Sequence, residues 1–144
     1  MARAVVDTSV LFAAAYRRDA NHAGALSLLR GFDGGDLPEA VVLDFVLAET
    51  LNGLTTHAGH EKSVDFLDRI EENSRFHVVS LTSDAFATAK SLFRRHEPLS
   101  LVDACIVAYM RTNDISYLYA FDDDFDRVDG CVRPDAATNP YDPT

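Results

Sequence analysis

Apolar residues along this chain fall into two alternating patterns. Short unbroken runs at Ala4-Val5-Val6 and Val41-Val42-Leu43, and the stretches Arg75–Ser80 and Ser116–Ala120, predict strands. Between them, apolar positions recur every three or four residues, as an amphipathic helix requires. That spacing predicts a helix over Val10–Tyr16, with Thr8 or Ser9 as its cap. A second runs over Asn21–Phe32, with Ala25, Leu28, Leu29 and Phe32 inward and a stop at Gly34-Gly35. A third covers Asp44–Thr56 through Leu47, Leu51 and Leu54, and a fourth residues 60–73 through Val64, Leu67 and Ile70. Helices over Ser83–Arg95 (Phe86, Ala89 and Phe93 inward) and Leu101–Arg111 complete the set, and Cys131-Val132 marks a last short strand. Strands alternating with helices predict an α/β fold on a parallel sheet. One domain spans residues 1–133; the aperiodic tail, 134–144, is expected to be loosely ordered.

Composition changes this picture little, except in charge. The 144 residues suffice for one core that buries roughly two-thirds of the unfolded surface. No apolar run approaches the roughly 20 residues that span a bilayer. The N-terminus meets Asp7 too soon for a signal peptide, so a cytoplasmic location is expected. Two cysteines, Cys105 and Cys131, make neither a disulfide framework nor a zinc site. The net charge is -10, with Lys62 and Lys90 the only lysines, and such a surface repels nucleic acid at low salt. At molar salt the Debye length shrinks to about 3 Å and the repulsion is screened. A halophilic source is therefore expected, and most of the 23 acids should be solvated surface.

A few acids sit where a surface acid should not. Asp7 ends an apolar strand, at the sheet edge where α/β folds place their sites, although a plain helix cap explains it as well. From Leu99 to Met110 only Ser100 and Asp103 interrupt the apolar sequence. A carboxylate buried there should be paired or hold a metal; a capping box between Ser100 and Asp103 is the structural alternative. Glu49 lies mid-helix between Phe45/Val46 and Asn52/Gly53, on a half-apolar face. Asp122-Asp123-Asp124-Phe125-Asp126 follows the last long strand, with Asp122 nearest its end and Asp124 on the same side if the chain stays extended. The spacing, glycine and terminal glutamate of a helix–loop–helix Ca²⁺ site are missing. Carboxylates converging without a cation would repel, and at least one would take up a proton. Oxygen-only ligands select Mg²⁺ or Mn²⁺, one or two ions that activate water and neutralise a phosphodiester.

Four motifs carry a resemblance: Val5-Val6-Asp7-Thr8-Ser9-Val10, Ala48-Glu49, Leu101-Val102-Asp103-Ala104-Cys105-Ile106 and Ala120-Phe121-Asp122-Asp123-Asp124-Phe125. In this order and approximate spacing they resemble the PIN-domain family, and within it the VapC-type toxin ribonucleases. The resemblance implies a three-layer sandwich, with a mostly parallel sheet of four or five strands flanked by helices, and a homodimer. It implies an endoribonuclease using Mg²⁺ or Mn²⁺, leaving 5′-phosphate and 3′-hydroxyl ends, and a VapB-like antitoxin partner. Asp7, Glu49, Asp103 and Asp122 would form the metal site, with Asp124 accessory and the hydroxyl of Thr8 or Ser9 in support. The chain departs from the family at Val107, where a small residue is usual, and in its acidity. Arg17, Arg18, Arg94, Arg95 and Arg127 are the candidate contacts to RNA phosphates. Ser9 has no paired base in sequence, and His57, His60, His77 and His96 lie outside the acidic motifs, so metal-assisted hydrolysis is expected rather than covalent catalysis. The competing readings are a housekeeping PIN nuclease of ribosomal RNA processing and a non-catalytic acidic binding module.

Overall fold

In a computed structural model describing residues 2–134 and 137–141, four apolar runs become strands. They are β1 (Arg3–Val6), β2 (Glu39–Leu43), β3 (Phe76–Val79) and β4 (Leu118–Tyr119). The sheet order is β3-β2-β1-β4 and every pairing is parallel, with Val5 of β1 opposite both Val41 and Leu118. The helices are α1 (Thr8–Ala15), α2 (His22–Gly34), α3 (Asp44–Ala58), α4 (His60–Glu72), α5 (Ser83–Arg95) and α6 (Leu101–Thr112). From β1 through β3 the chain steps in one direction across the sheet, then returns to lay β4 on the other side of β1. Right-handed crossovers then put α1–α4 and α5–α6 on opposite faces, which makes three layers. The reversal opens a crevice at the carboxyl ends of β1 and β4, where α/β folds bind their ligands.

Central parallel strands lie under helices on both faces, which is why they read as unbroken apolar runs. Ala4 to Val6 and Ala40 to Leu43 are fully buried. Phe32 of α2 anchors one side of the sheet, edge-on to Phe76 at 5.7 Å and to Tyr119 at 5.1 Å between ring centroids. Burial pushes the Tyr119 hydroxyl up to about 12, and it donates to the Thr138 carbonyl at 2.8 Å. All four apolar residues expected inward on α2 are buried, and Gly35 ends that helix at φ 81°, a left-handed cap that favours glycine.

Several details differ from the periodicity. The cap of α1 is Asp7, not Thr8 or Ser9: residue 7 keeps extended backbone from β1, and its carboxylate accepts from the Ser9 amide. On α4 the buried residues are Ser63, Phe66 and Ile70, while Val64 is exposed. The Ser63 hydroxyl donates to the Leu51 carbonyl at 3.0 Å, so a small polar residue sits at the close approach to α3. On α5, Ala85, Ala89 and Leu92 face inward and Phe93 is exposed, because the two alanines, not the phenylalanine, fit the packed face. Val132 makes one parallel bridge to Tyr117 rather than a strand.

Part of the tail expected to be loosely ordered makes specific contacts. Asn139 donates to the Asp36 carbonyl, and the Tyr141 hydroxyl to the Arg3 carbonyl, each at 3.0 Å. Residues 135, 136 and 142–144 of that tail lie outside the described residues. Among the described residues no helix is long and apolar enough to cross a membrane.

Candidate metal centre

Three acids reach the crevice at the β1 and β4 ends, each on the first turn of a helix. Asp7 caps α1, Asp103 is the third residue of α6, and Asp122 caps the 3₁₀ turn Asp123–Arg127. Each fixes one carboxylate oxygen on its own local backbone. Asp7 Oδ2 accepts from the Ser9 amide at 3.2 Å and from the Ser9 hydroxyl at 2.7 Å. Asp103 Oδ2 accepts from the Ser100 amide at 3.1 Å, while the Ser100 hydroxyl accepts from the Asp103 amide, so the capping box forms. Asp122 Oδ1 accepts from the Asp124 amide at 2.9 Å. Among the described residues Asp7, Asp103 and Asp122 do not bring oxygens within 4.8 Å of one another as a set.

Ser9 ties two of these elements together. Its hydroxyl donates to Asp7 and accepts from the Phe121 amide at 3.0 Å, which locks the exit of β1 to the exit of β4. The hydroxyl's proton is committed to Asp7, so Ser9 is a positioning residue rather than a nucleophile. The Thr8 Oγ1 beside Asp7 is buried with no hydrogen-bond partner. Such orphans are rare and mark strain or a missing ligand.

Electrostatics shows which acids are neighbours. Asp103 is pushed up to about 6, first by burial and then by the charges of Asp7 and Asp122. Asp7 is 5% exposed and is raised too, by burial above all, with a contribution from the charge of Glu49. Glu49 therefore stands near Asp7, but its own side chain is exposed on α3. Asp103 is half-buried rather than enclosed, because the capping box holds it at the helix end.

The turn after β4 is wound, not extended, yet Asp122, Asp123 and Asp124 each offer an oxygen within 4.8 Å of the others. The charge of Asp122 raises Asp124. Asp126 turns away: Arg133 grips it through two nitrogens at 2.7 Å each and holds it below the usual carboxylate range. A third nitrogen of Arg133 donates to the Ala120 carbonyl at 3.0 Å, so this arginine braces the turn. The sequence marks this role of Arg133 only by placing a cation seven residues after Asp126.

The candidate arginines divide between two pockets. Arg95 and Arg127 line one of about 210 Å³ with His96 and Asp124, which brings a histidine to the edge of the acidic cluster. Arg17 and Arg18 line another of about 330 Å³ with Tyr16, His57 and Lys62. Arg94 lines neither.

Residues 4–130 match the model of the PIN domain. The chain belongs to the PIN-domain family. Among solved structures, the Mycobacterium tuberculosis VapC20, a sarcin–ricin-loop-cleaving toxin, is 31% identical with a TM-score of 0.75. The match covers 85% of this chain and 92% of that one. A toxin–antitoxin complex from Klebsiella pneumoniae has 19% identity and a TM-score of 0.64, over 90% of this chain and 95% of that chain. VapBC2 from Rickettsia felis, bound to a promoter DNA fragment, has 16% identity and a TM-score of 0.67, over 92% and 97%. At those two identities the likeness is one of fold. Among curated proteins none matches the chain.

PIN-domain nucleases are in general divalent-metal dependent, and the donor set here fits such an ion. All the donors are oxygens, as Mg²⁺ and Mn²⁺ prefer. Burial above all, and mutual repulsion after it, raises Asp7 and Asp103, and a bound cation would favour their charged forms. Ser9 supplies one test of this PIN site. Ser9→Ala is expected to weaken Mn²⁺ binding 10–100-fold, the usual effect of losing a group that orients a ligand. It should also destabilise the fold by about 1–2 kcal/mol through the missing hydrogen bonds. Calorimetric titration and thermal melts read the two effects.

Proposed function

We propose that this PIN domain is a Mg²⁺- or Mn²⁺-dependent endoribonuclease and the toxin of a VapBC-type pair. The supporting observation is that Asp7 and Asp122 each follow one of two adjoining strands, and the charges of both raise Asp103. These three residues would hold the ion, with Glu49 and Asp124 completing or sharing the set. When bound, the ion would supply an activated water and neutralise charge on the scissile phosphodiester. The chain's own part is orientation: Ser9 aims Asp7, Ser100 aims Asp103, and the Asp124 amide aims Asp122. Arg95, Arg127 and His96 stand beside Asp124, where they would receive the neighbouring phosphates of an RNA strand.

A VapB-like antitoxin would cover the crevice and hold the enzyme inactive. A homodimer belongs to the same proposal. Phe45 of α3 stacks on Phe86 of α5 at 5.5 Å, and exposed Phe93 follows Phe86 along the same helix, an apolar surface that a second copy would cover.

The test is cleavage of RNA in molar KCl with Mg²⁺, Mn²⁺ or EDTA, with end-group mapping of the products. VapC20 is a sarcin–ricin-loop-cleaving toxin, so a ribosomal hairpin of that type is the first substrate to try. Metal-dependent products with 5′-phosphate ends support the proposal; cleavage that persists in EDTA, or none on any RNA, contradicts it.

A further inference from the structure

We propose that Tyr16, Arg17, Arg18, His57 and Lys62 form a nucleotide subsite that holds a stacked base and its flanking phosphates; the proposal rests on the ribonuclease reading. The pocket they line measures about 330 Å³, the lower end of small-ligand sites. No acid lines it, although the chain carries a net charge of -10 and one of its two lysines is here. Among the described residues none of these cations is ion-paired. An adjoining pocket of about 170 Å³ shares Ala15 and Lys62 and adds Arg69 together with one acid, Asp65. Unpaired cations gathered in one place on an acidic protein point to an anion.

Two of the lining side chains, Tyr16 and His57, narrow the choice of anion. Phe12, Tyr16 and His57 form an aromatic trio, with ring centroids 5.2 Å apart for Phe12 and Tyr16 and 5.9 Å for each ring against His57. Gly53 makes room for it, since a Cβ there would lie 3.1 Å from the Phe12 ring. Cations around π-faces match single-stranded RNA, which offers phosphates and bases together. An acidic peptide would use the charges and leave the rings idle.

The subsite is also within reach of the metal centre. Asp7 caps the start of α1 and Tyr16 its end, so about 13 Å of helix separates them. That is about four stacked nucleotides at roughly 3.4 Å each. One strand can therefore occupy both places.

The experiment is fluorescence anisotropy of a labelled 12-nucleotide mixed-sequence oligoribonucleotide with the full chain, in EDTA, across a KCl series. Without metal the readout is independent of cleavage, so it survives failure of the ribonuclease reading and can fail where that reading succeeds. The Arg17→Ala/Arg18→Ala double variant is expected to lower the slope of log K against log salt by about 1.4, or about 0.7 for each phosphate no longer neutralised. Tyr16→Ala should weaken binding about tenfold or more, while Tyr16→Phe binds like the parent. Lys90→Ala on α5 controls for loss of positive charge anywhere, and melts confirm that each variant is folded. An unchanged slope in the double variant, or a similar loss in Lys90→Ala, overturns the subsite. Equal binding by Tyr16→Ala and Tyr16→Phe overturns the stacked base. An acidic peptide that binds the pocket without competing with RNA would overturn the nucleotide assignment in favour of a protein partner.

Discussion

Asp7→Asn is expected to lower RNA cleavage by roughly a thousandfold or more while the protein stays folded. Asp7 Oδ2 is bound by the Ser9 amide and hydroxyl, and an asparagine oxygen can accept both bonds, so α1 keeps its cap. The negative charge is what disappears. With it goes an acid that stands at the exits of both β1 and β4, next to Asp103 and Glu49. Charge stabilisation by a bound metal contributes several kcal/mol to phosphoryl chemistry, and each step of about 1.36 kcal/mol is a factor of ten in rate. Initial rates of RNA cleavage in Mn²⁺ measure the loss. Thermal melts in EDTA supply the control: the variant should be at least as stable as the wild type, because burial penalises the charge that asparagine lacks.

The second large effect is a pH-dependent change in what the metal does for stability. Asp103 is raised from 3.8 to about 6 in the metal-free fold. Between those values the folded state keeps a proton that the unfolded chain has released. The resulting stability is fully present below about 3.8 and is lost as pH rises through about 6. Asp7 shifts in the same direction and adds to the loss. Metal binding requires both groups ionised, so it reverses the trend above about pH 6. At about 100 times Kd the ion adds about 2.7 kcal/mol, on the order of 5–10 °C in Tm for a chain of this size. Little stabilisation is expected at pH 5. Asp103→Asn should melt higher than wild type in EDTA at pH 7.5 and gain little from Mg²⁺; melts across pH 4.5–8 with and without the ion measure this.

Much of this arrangement is legible in the sequence, for physical reasons that differ residue by residue. The strands of a parallel sheet buried on both faces must be apolar throughout, so β1 and β2 stand out, and α2 announces itself by the stripe from Ala25 to Phe32. Asp7 and Asp122 are legible because an acid at or just beyond the end of an apolar strand falls at the sheet's carboxyl edge. Asp103 stands out as the acid that interrupts an apolar run, and its capping box is visible as a Ser–Asp spacing. Periodicity fails where tertiary contacts choose the face, as with Ser63 on α4 and the alanines of α5. It also carries no record of pairs that meet only in the fold. The Ser9 bond to the Phe121 amide spans 112 residues, and Arg133 reaches back to Ala120 from beyond the acidic turn. Glu49 sits on an exposed helix face, and local pattern alone gives little reason to choose it over other surface acids.

Asp7, Asp103 and Asp122 are proposed to hold a divalent cation together. Titration of Mn²⁺ into the protein at pH 7.5, with free ion followed by electron paramagnetic resonance, measures it directly. Wild type should bind saturably, and Asp7→Asn, Asp103→Asn and Asp122→Asn should each bind at least tenfold more weakly. Binding by all three variants equal to wild type, or no binding by the wild type, would contradict the account.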